Sequence, residues 1–339
     1  MNQFENNLTV KITGKNVRAA PHVSVVIPAY DIADYVAETL ESVFAQTYKN
    51  YEIIVVNDGS TDTAQLKSAL APYFENIVYA EQANAGASQA RNSAISLARG
   101  ELLAFLDGDD VWLPDFLESQ TDFLEKNNLE MVYCDALIFG DTLLNNENFT
   151  KNSPSNGAVS TVSLIVAECN VITSGTVLKR DLMEKFGLFD VAMRRGQDFE
   201  MWFRLAKNRV RIGYQTKVLL KYRVRAGNLT GSDVDRAERN ITVMNRIREK
   251  YDLNNEEKTA WKKQMSVYRA ERELEKGKSS LANGDYAVAR AHLAAANAFY
   301  RKPKLTLLNW LLRFSPRLTV RLFKTLRPSE FSFIASNKP

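Results

Sequence analysis

Short apolar runs alternate with segments of helical spacing along the N-terminal third of the chain. Residues 23–27 and 51–56 are β-branched runs followed by turn-forming residues, as is typical of buried strands. Residues 34–46 carry apolar side chains at helical spacing between them. The same alternation predicts a helix over 62–73, a strand over 77–80, a helix over 87–99 and a strand over 101–106. This order indicates an α/β fold, with a mainly parallel central sheet flanked by helices.

The pattern changes twice after this region. Residues 137–161 are polar and rich in Asn, which predicts an irregular segment, and order returns with a strand near 174–179 and a helix from about 197 to 206. Beyond about residue 235 the sequence is charged and helical. We therefore expect an N-terminal extension over 1–20, an α/β domain over 21–235, a helical region with a hairpin over 236–300, and a basic amphipathic tail over 301–339.

Composition narrows the class of protein. With 45% hydrophobic and 25% charged residues, the chain is a globular protein and not a disordered or collagen-like one. A net charge of +4 is too small to indicate nucleic-acid binding. Cys134 and Cys169 lack metal-ligand spacing, which indicates buried thiols in a reducing compartment. No signal peptide and no run of about 20 apolar residues is present, so we expect a cytoplasmic protein.

Polar or glycine-containing segments follow four of the predicted strands. They are Pro28-Ala-Tyr-Asp31, Asp58 with Gly59, Asn84 to Asn92, and Asp107-Gly-Asp-Asp110. Ligands of open α/β sheets bind at the carboxyl ends of the strands, where these segments fall. Each of the first three is also explained by ordinary turn formation.

The acidic segment carries the stronger signal. Three carboxylates within four residues repel one another unless a positive charge joins them. Mg²⁺ is usually held by one or two carboxylates together with substrate phosphates, so this segment predicts a site for Mg²⁺ or Mn²⁺. The alternative is a solvated acidic turn before the helix that begins near Pro114.

Taken together, the blocks resemble the nucleotide-binding half of family 2 glycosyltransferases with the GT-A fold. The matching blocks are Pro28-Ala-Tyr-Asp31, Asp58-Gly-Ser-Thr-Asp62, Asn84-Ala-Gly86 with Ala90-Arg-Asn92, Asp107-Gly-Asp109, Gly187-Leu-Phe-Asp190 and Gly196-Gln-Asp-Phe-Glu-Met-Trp202. They are collinear and span roughly residues 21–230. The resemblance implies a GT-A nucleotide-diphospho-sugar transferase fold followed by an α-helical C-terminal region.

The resemblance also implies roles for individual residues. The nucleotide-binding set is Pro28, Ala29, Tyr30, Asp31, Asp58, Gly86, Arg91, Asp107 and Gly108. Within it, Asp58 would accept a hydrogen bond from a ring N–H, a contact that favours uracil. Arg91 would lie near the base or the phosphates, and Asp107 near the ribose or the metal shell. Asp109 would bind Mn²⁺ or Mg²⁺ on the diphosphate.

The resemblance places the catalytic base at Asp198, where the family has a Glu-Asp pair and this chain has Gln197-Asp198. The alternative is an aspartate stabilised by the helix dipole in the first turn. Trp202 is expected to pack in the protein or to stack on an acceptor sugar. Arg225 stands where histidine is common in the family; arginine cannot bind a metal but can bind phosphate oxygens. Gln197, Trp202 and Arg225 are therefore candidates for the acceptor side.

The tail has a composition typical of a peripheral membrane segment. Residues 303–327 combine apolar and aromatic side chains with Lys and Arg, and contain no acidic residue. Basic amphipathic helices with an aromatic anchor lie in membrane interfaces. The alternative is that they pack on the catalytic domain or on a partner chain.

The function implied is inverting transfer of a sugar from a nucleotide-sugar donor, expected to be a UDP-sugar, to a saccharide or lipid-linked saccharide. Two alternatives remain. A nucleotidyltransferase on a related core would need a Gly-rich phosphate loop after the first strand, which Pro28-Ala-Tyr-Asp31 is not. A non-catalytic sugar-nucleotide-binding or scaffolding protein would not need the base Asp198.

Overall fold

The chain divides into two compact units, Met1–Ala226 and Gly227–Pro339. The computed structural model describes residues 8–142, 144–225 and 233–326. Within these ranges, strands occur only in the first unit. The chain thus separates a sheet-based unit from a helical one, as the change in sequence character predicts.

One mixed sheet forms the centre of the described part of the first unit. Its strands are β1 (Leu8–Thr13), β2 (Val23–Ala29), β3 (Tyr51–Asp58), β4 (Val78–Gln82), β5 (Leu102–Phe105), β6 (Val111–Trp112), β7 (Met131–Gly140), β8 (Thr176–Lys179) and β9 (Ile212–Val224). They lie in the order β1-β4-β3-β2-β5-β8-β7-β9-β6. Strands β4, β3, β2 and β5 are parallel neighbours. Antiparallel pairs join β1 to β4, β5 to β8, β7 to β8 and β6 to β9.

Helices accompany the sheet along the first unit. They are α1 (Val36–Phe44), α2 (Thr63–Leu70), α3 (Ala87–Leu97), α4 (Phe116–Lys126), α5 (Phe149–Asn152), α6 (Thr161–Ile165), α7 (Asp181–Phe186) and α8 (Gln197–Lys207). Short 3₁₀ turns occupy Ala71–Asn76 and Thr173–Gly175. The apolar runs of β2 and β3 are buried, apart from the partly buried Tyr51 at the start of β3. Strands buried on both faces carry continuous apolar runs, which is why the sequence pattern of these two strands is not alternating.

The predicted elements up to β5 are confirmed, with ends shifted by a few residues. Two regions differ from expectation. Residues 8–13, within the predicted N-terminal extension, form the edge strand β1, which pairs with β4. Residues 137–161, predicted to be irregular, contain the end of β7, the short helix α5 and the first residue of α6. Both cysteines are free and buried, as expected.

The parallel strands bring four loops to one edge of the sheet. Because β4, β3, β2 and β5 are adjacent and run in the same direction, the segments after their carboxyl ends lie side by side. The loops are joined directly: the Ala33 amide donates to Asp62 Oδ2 at 2.9 Å. The sheet thus assembles sequence blocks that are separated along the chain.

Asn92 links helix α3 to the loop that follows α7. Its side-chain amide donates to the Phe189 carbonyl at 2.8 Å, and its oxygen accepts from the Phe189 amide at 2.9 Å. Asn92 is fully buried. Two of the sequence blocks, around residues 84–92 and 187–190, are therefore held together by one side chain.

The second unit consists of helices within its described residues. They are α9 (Asp233–Lys250), α10 (Asn255–Asn283), α11 (Tyr286–Tyr300), α12 (Pro303–Phe314) and α13 (Pro316–Leu326). Asn254 caps α10, accepting from the Glu257 amide at 2.9 Å while Glu257 accepts from the Asn254 amide at 2.8 Å. Helices α10 and α11 form the predicted hairpin.

Helix α12 has an inner and an outer face. Leu305, Leu308 and Leu312 pack on a cluster that includes Leu281 and Leu293. Leu307, Trp310 and Phe314 are 57, 58 and 63% exposed. The described helices include none that is long and apolar enough to cross a bilayer. Packing within the second unit thus explains the apolar residues on the inner face of α12, but not those on its outer face.

Removing the Asn92 clamp tests how strongly the two blocks depend on each other. Asn92→Ala leaves the amide and carbonyl of Phe189 without their partner, and each unsatisfied buried group costs about 1–3 kcal/mol. We expect urea denaturation to give a free energy of unfolding lower by about 2–4 kcal/mol.

The matched control is Asn208→Ala, which removes a similar side-chain hydrogen bond, to the Arg204 carbonyl, at an exposed position. We expect a change of about 0.5 kcal/mol or less for this variant. Equal losses in the two variants would contradict a structural role for Asn92.

Candidate active site

The acidic turn of residues 107–110 follows β5 and is fixed by helix α1. The hydroxyl of Thr39 donates to the Gly108 carbonyl at 3.0 Å and to the Asp110 carbonyl at 2.9 Å. Gly108 lies so close to Ile32 that a Cβ atom would stand 2.2 Å from its Cδ1. A side chain at this position would require Ile32 to move, so Gly108 lets the turn lie against the loop after β2.

Asp107 is paired with Arg91. The guanidinium Nη2 lies 2.5 Å from Asp107 Oδ1, and the Asp107 amide donates to the Ser174 hydroxyl at 3.1 Å. The Arg91 side chain is 6% exposed and its guanidinium carbon lies 5.6 Å from the centre of the Phe189 ring. Its Nε and Nη1 atoms have no hydrogen-bond partner among the described residues. Helix α3 therefore brings a buried, fixed positive charge to the turn.

Asp109 is paired with Arg225. Arg225 Nε lies 2.8 Å from Asp109 Oδ2. Burial, followed by the charge of Asp107, raises the pKa of the Asp109 carboxyl above its usual range, and Arg225 opposes this rise. The predicted metal ligand and the residue in the place of the family's histidine are thus in direct contact.

The side chain of Asp110 is held by a backbone amide of the protein. It is buried, and its Oδ1 accepts from the Arg223 amide at 2.8 Å, while Oδ2 has no partner among the described residues. Burial raises the pKa of the Asp110 carboxyl well above its usual range, and the charges of Asp109 and Asp107 add to the rise. The three acidic residues of the turn therefore differ in environment, and only Asp107 and Asp109 are paired with arginine side chains.

Arg223 is a site residue that sequence reasoning missed. Its Nε donates to the Asp109 carbonyl at 2.7 Å, and its Nη2 is paired with Glu38. Its guanidinium carbon lies 5.0 Å from the centre of the Tyr35 ring, and that of Arg225 lies 5.2 Å from the same ring. Alternate residues of an extended chain point to the same side, so the spacing of the two arginines was the available signal.

Asp58, predicted to contact the nucleobase, is engaged within the protein. Its Oδ1 accepts from Gln82 Nε2 at 2.7 Å and from the Ala85 amide at 2.9 Å. Its Oδ2 accepts from the Gly86 amide at 2.8 Å, and the residue is buried. Asp58 therefore shapes the loop that leads into α3, and this is also the observed role of Gly86.

The loop after β2 presents one aromatic side chain. Tyr30 is 43% exposed, whereas Ala29 is fully buried and Pro28 is partly buried. Asp31 accepts from the Thr61 amide at 2.8 Å and from the Thr61 hydroxyl at 2.9 Å. Of the four predicted pocket residues here, Tyr30 is thus the one whose side chain is available for stacking on a base.

Asp198 lies in the first turn of α8, and its Oδ1 accepts from the Phe199 amide at 2.8 Å. The charge of Asp198 and the charges of the acidic turn affect the same tyrosine, Tyr222. The pKa of the Tyr222 hydroxyl is raised by burial and then by the charges of Asp110, Asp107, Asp109 and Asp198. Asp198 is thus an oriented carboxylate at the start of α8 whose charge, like those of the acidic turn, raises the pKa of Tyr222.

Trp202 does not reach this site's surface. The residue is 1% exposed, and its ring packs edge-on against Phe105 and Phe189, with centroids 6.3 Å apart in each pair. The suggestion that Trp202 stacks on an acceptor sugar is therefore wrong, because helix α8 turns this side chain into the core. Gln197 is partly buried, and its Oε1 has no hydrogen-bond partner among the described residues.

The carboxylates of the turn suit a metal ion whose remaining ligands come from a phosphate group. In the described residues, no three His, Cys, Asp or Glu side chains come together as a metal cluster. Asp107 and Asp109 supply carboxylate oxygens and are separated by one residue. Mg²⁺ commonly binds one or two carboxylates together with substrate phosphates. The residues fit a divalent cation completed by a bound diphosphate, and do not form a complete protein site.

The chain is similar in sequence to known glycosyltransferases. The sequence profile of glycosyl transferase family 2 matches residues 24–187, within the first unit. An uncharacterized glycosyltransferase of Rickettsia prowazekii is 30% identical over 227 residues, which cover 65% of this chain and 69% of that protein. The Escherichia coli enzyme WfaP, a UDP-Glc:alpha-D-GlcNAc-diphosphoundecaprenol beta-1,3-glucosyltransferase, is 27% identical over 66% of this chain and 86% of its own length.

The fold is similar to that of a solved mannosyltransferase. The enzyme from Pyrobaculum calidifontis, in complex with GDP-Man and Mn²⁺, matches with a TM-score of 0.59 and 18% identity, over 96% of this chain and 89% of that one. This likeness identifies a GT-A-like fold with a mixed central sheet and a helical C-terminal region. With the family profile and the Rickettsia relative, it leads to one conclusion: the chain is a glycosyltransferase that belongs to family 2.

Proposed function

We propose that this protein transfers a sugar from a nucleotide-sugar donor, a UDP-sugar, to a saccharide or lipid-linked saccharide with inversion. The observation that carries the proposal is the acidic turn at the carboxyl end of a parallel strand, where Arg91 pairs with Asp107 and Arg225 pairs with Asp109. Support for the donor and acceptor comes from the name of the WfaP relative, which acts on UDP-Glc and a diphosphoundecaprenol-linked sugar.

On the donor side, the diphosphate requires positive charge. Arg91 and Arg225 are the guanidinium groups paired with carboxylates of the acidic turn, and Arg223 binds the Asp109 carbonyl. Asp109, assisted by Asp107, would hold Mn²⁺ or Mg²⁺ against the diphosphate, and the cation would neutralise charge that develops on the leaving group. Tyr30 would stack on the base, because its ring is exposed beside the loop after β3.

On the acceptor side, Asp198 would accept the proton of the attacking hydroxyl. One of its oxygens is engaged by the Phe199 amide, which orients the carboxylate. As the acceptor oxygen bonds to the anomeric carbon, the bond from that carbon to the diphosphate breaks. The electron pair leaves with the nucleoside diphosphate. Attack from the face opposite the leaving group inverts the anomeric configuration.

Helix α12 would place the enzyme near a lipid-linked acceptor. Its exposed residues Leu307, Trp310 and Phe314 are accompanied by Arg313, and residues 286–326 contain no Asp or Glu. A basic surface with aromatic anchors is complementary to an anionic lipid interface. We therefore propose that residues 303–327 bind the inner membrane face peripherally.

The base assignment is tested with Asp198→Asn. General-base assistance contributes about 10²–10⁴-fold, so turnover should fall by about that factor. Affinity for UDP should be retained, because Asp198 is assigned to the acceptor and not to the diphosphate. Turnover is measured with a panel of UDP-sugars, and UDP affinity by calorimetry.

The control is Asp181→Asn, which neutralises another aspartate in the first turn of a helix, α7. Asp181 is ion-paired with Lys185 at 2.6 Å and lies outside the proposed site. Its turnover should equal that of the parent. Near-parental turnover in Asp198→Asn would overturn the assignment of the base.

The metal assignment is tested with Asp109→Ala. Mn²⁺ should tighten UDP binding to the parent and have little effect on the variant, because the carboxylate that holds the cation is gone. Calorimetry with and without Mn²⁺ measures this. Asp122→Ala, at an exposed position of α4, is the control and should keep the full Mn²⁺ effect. The same Mn²⁺ effect in Asp109→Ala and parent would exclude Asp109 as a ligand.

The membrane assignment is tested with Trp310→Ala combined with Phe314→Ala. Flotation with vesicles containing anionic lipid should recover the parent, and the double variant should bind at least about tenfold more weakly, since two interfacial aromatic anchors are lost. Val288→Ala, at a 50% exposed position of α11, is the control. Equal flotation of the double variant and the parent would contradict the role of α12.

A further inference from the structure

Arg91 and Arg225, the two arginines paired with carboxylates of the acidic turn, differ in the exposure of their side chains. The Arg91 side chain is 6% exposed and lies near Phe189. The Arg225 side chain is 26% exposed and lies just beyond the end of β9. A buried guanidinium is held by its surroundings, whereas a partly exposed one can exchange partners at lower cost. Arg225 is thus the arginine that can leave its carboxylate.

Arg225 bridges two parts of the proposed donor site. Its Nε contacts Asp109 Oδ2 at 2.8 Å, and its Nη1 donates to the Asp31 carbonyl at 3.1 Å. Its guanidinium carbon lies 5.2 Å from the centre of the Tyr35 ring. The group therefore lies between the acidic turn and the loop after β2, the two segments that the donor would contact.

The contact with Asp109 has a consequence for metal binding. The Arg225 guanidinium disfavours a cation on the same carboxylate, since two positive groups would then lie close together at one anion. Asp109 is largely buried beside Asp107, so its negative charge needs a positive partner. With Arg225 in place, that need is already met.

A diphosphate changes this balance. Guanidinium groups bind phosphate oxygens as well as carboxylates, with charge-assisted and often bidentate hydrogen bonds. A donor bound at the turn would offer Arg225 a second anion within the site. Asp109 would then be left without its partner and would be available to a cation that also contacts the diphosphate.

We propose that Arg225 is an exchangeable counter-ion. Without donor it neutralises Asp109 and disfavours divalent cations there; with donor it pairs with the diphosphate, and the cation takes its place on Asp109. The inference rests on the proposed function, since it requires a nucleotide diphosphate as ligand. Arg225 is thus a positioning residue that makes metal binding depend on the donor.

The experiment compares Mn²⁺ binding and UDP binding in the full-length parent, Arg225→Gln and Arg211→Gln. Free Mn²⁺ is followed by electron paramagnetic resonance in the absence of nucleotide, and UDP affinity by calorimetry in the absence of metal. Arg211 is the matched control, because it pairs with Glu130 at 3.7 Å at the other end of β9 and is exposed.

For Arg225→Gln we expect nucleotide-free Mn²⁺ affinity to rise by on the order of tenfold, the worth of one charge-assisted hydrogen bond. UDP affinity without metal should fall by a similar factor. Arg211→Gln should match the parent in both. A merely structural role for Arg225 would not raise Mn²⁺ affinity, so this gain identifies the competition.

Arg225→Lys extends the test to a variant that keeps the charge. It should bind Mn²⁺ between the parent and Arg225→Gln, because an ammonium still competes but lacks the bidentate fork. Unchanged or weaker Mn²⁺ binding in both Arg225 variants would overturn the proposal. Failure of the parent to bind UDP would contradict the proposed function instead, while the Mn²⁺ titration would still decide whether Arg225 competes for Asp109.

Discussion

The charge balance of the turn at residues 107–110 governs the site. Three carboxylates lie within four residues, and burial makes their mutual repulsion costly. The protein meets this requirement with side chains from distant parts of the sequence: Arg91 from α3 and Arg225 from beyond β9. Two of the three carboxylates therefore have a positive partner within the protein, and both of these arginines are also suited to bind a diphosphate.

The mixed sheet makes this balance achievable. Its parallel part aligns the loops after β2, β3, β4 and β5 at one edge, and β9 returns along β7 to bring Arg223 and Arg225 to the acidic turn. Asp58 and Asn92 support this arrangement indirectly, since each binds backbone groups of a neighbouring loop. Both residues lie within the sequence blocks named above, and each holds a neighbouring loop in place.

Periodicity and turn residues were sufficient to predict the parallel core and the four strand-end segments. They did not predict β1: residues 8–13 alternate apolar and polar side chains, but the strand is mostly exposed and its pairing with β4 joins residues far apart in sequence. Nor could they place Trp202: helical spacing identifies an apolar face but not the residues it meets. Asp58 is a further example, because the sequence singled out the residue but not the three groups of the protein that it binds.

The pairing of Asp109 with Arg225 was likewise beyond sequence reasoning, which recognised both residues but had no means of bringing them together. The contact changes how the departure from the family's histidine is understood, from a lost ligand to a positive charge supplied by the chain. A crystal structure of the protein with UDP and Mn²⁺ tests this account most directly. The account predicts the Arg225 guanidinium on the diphosphate and Mn²⁺ at Asp109. Arg225 still paired with Asp109, with the nucleotide bound away from the turn, would contradict it.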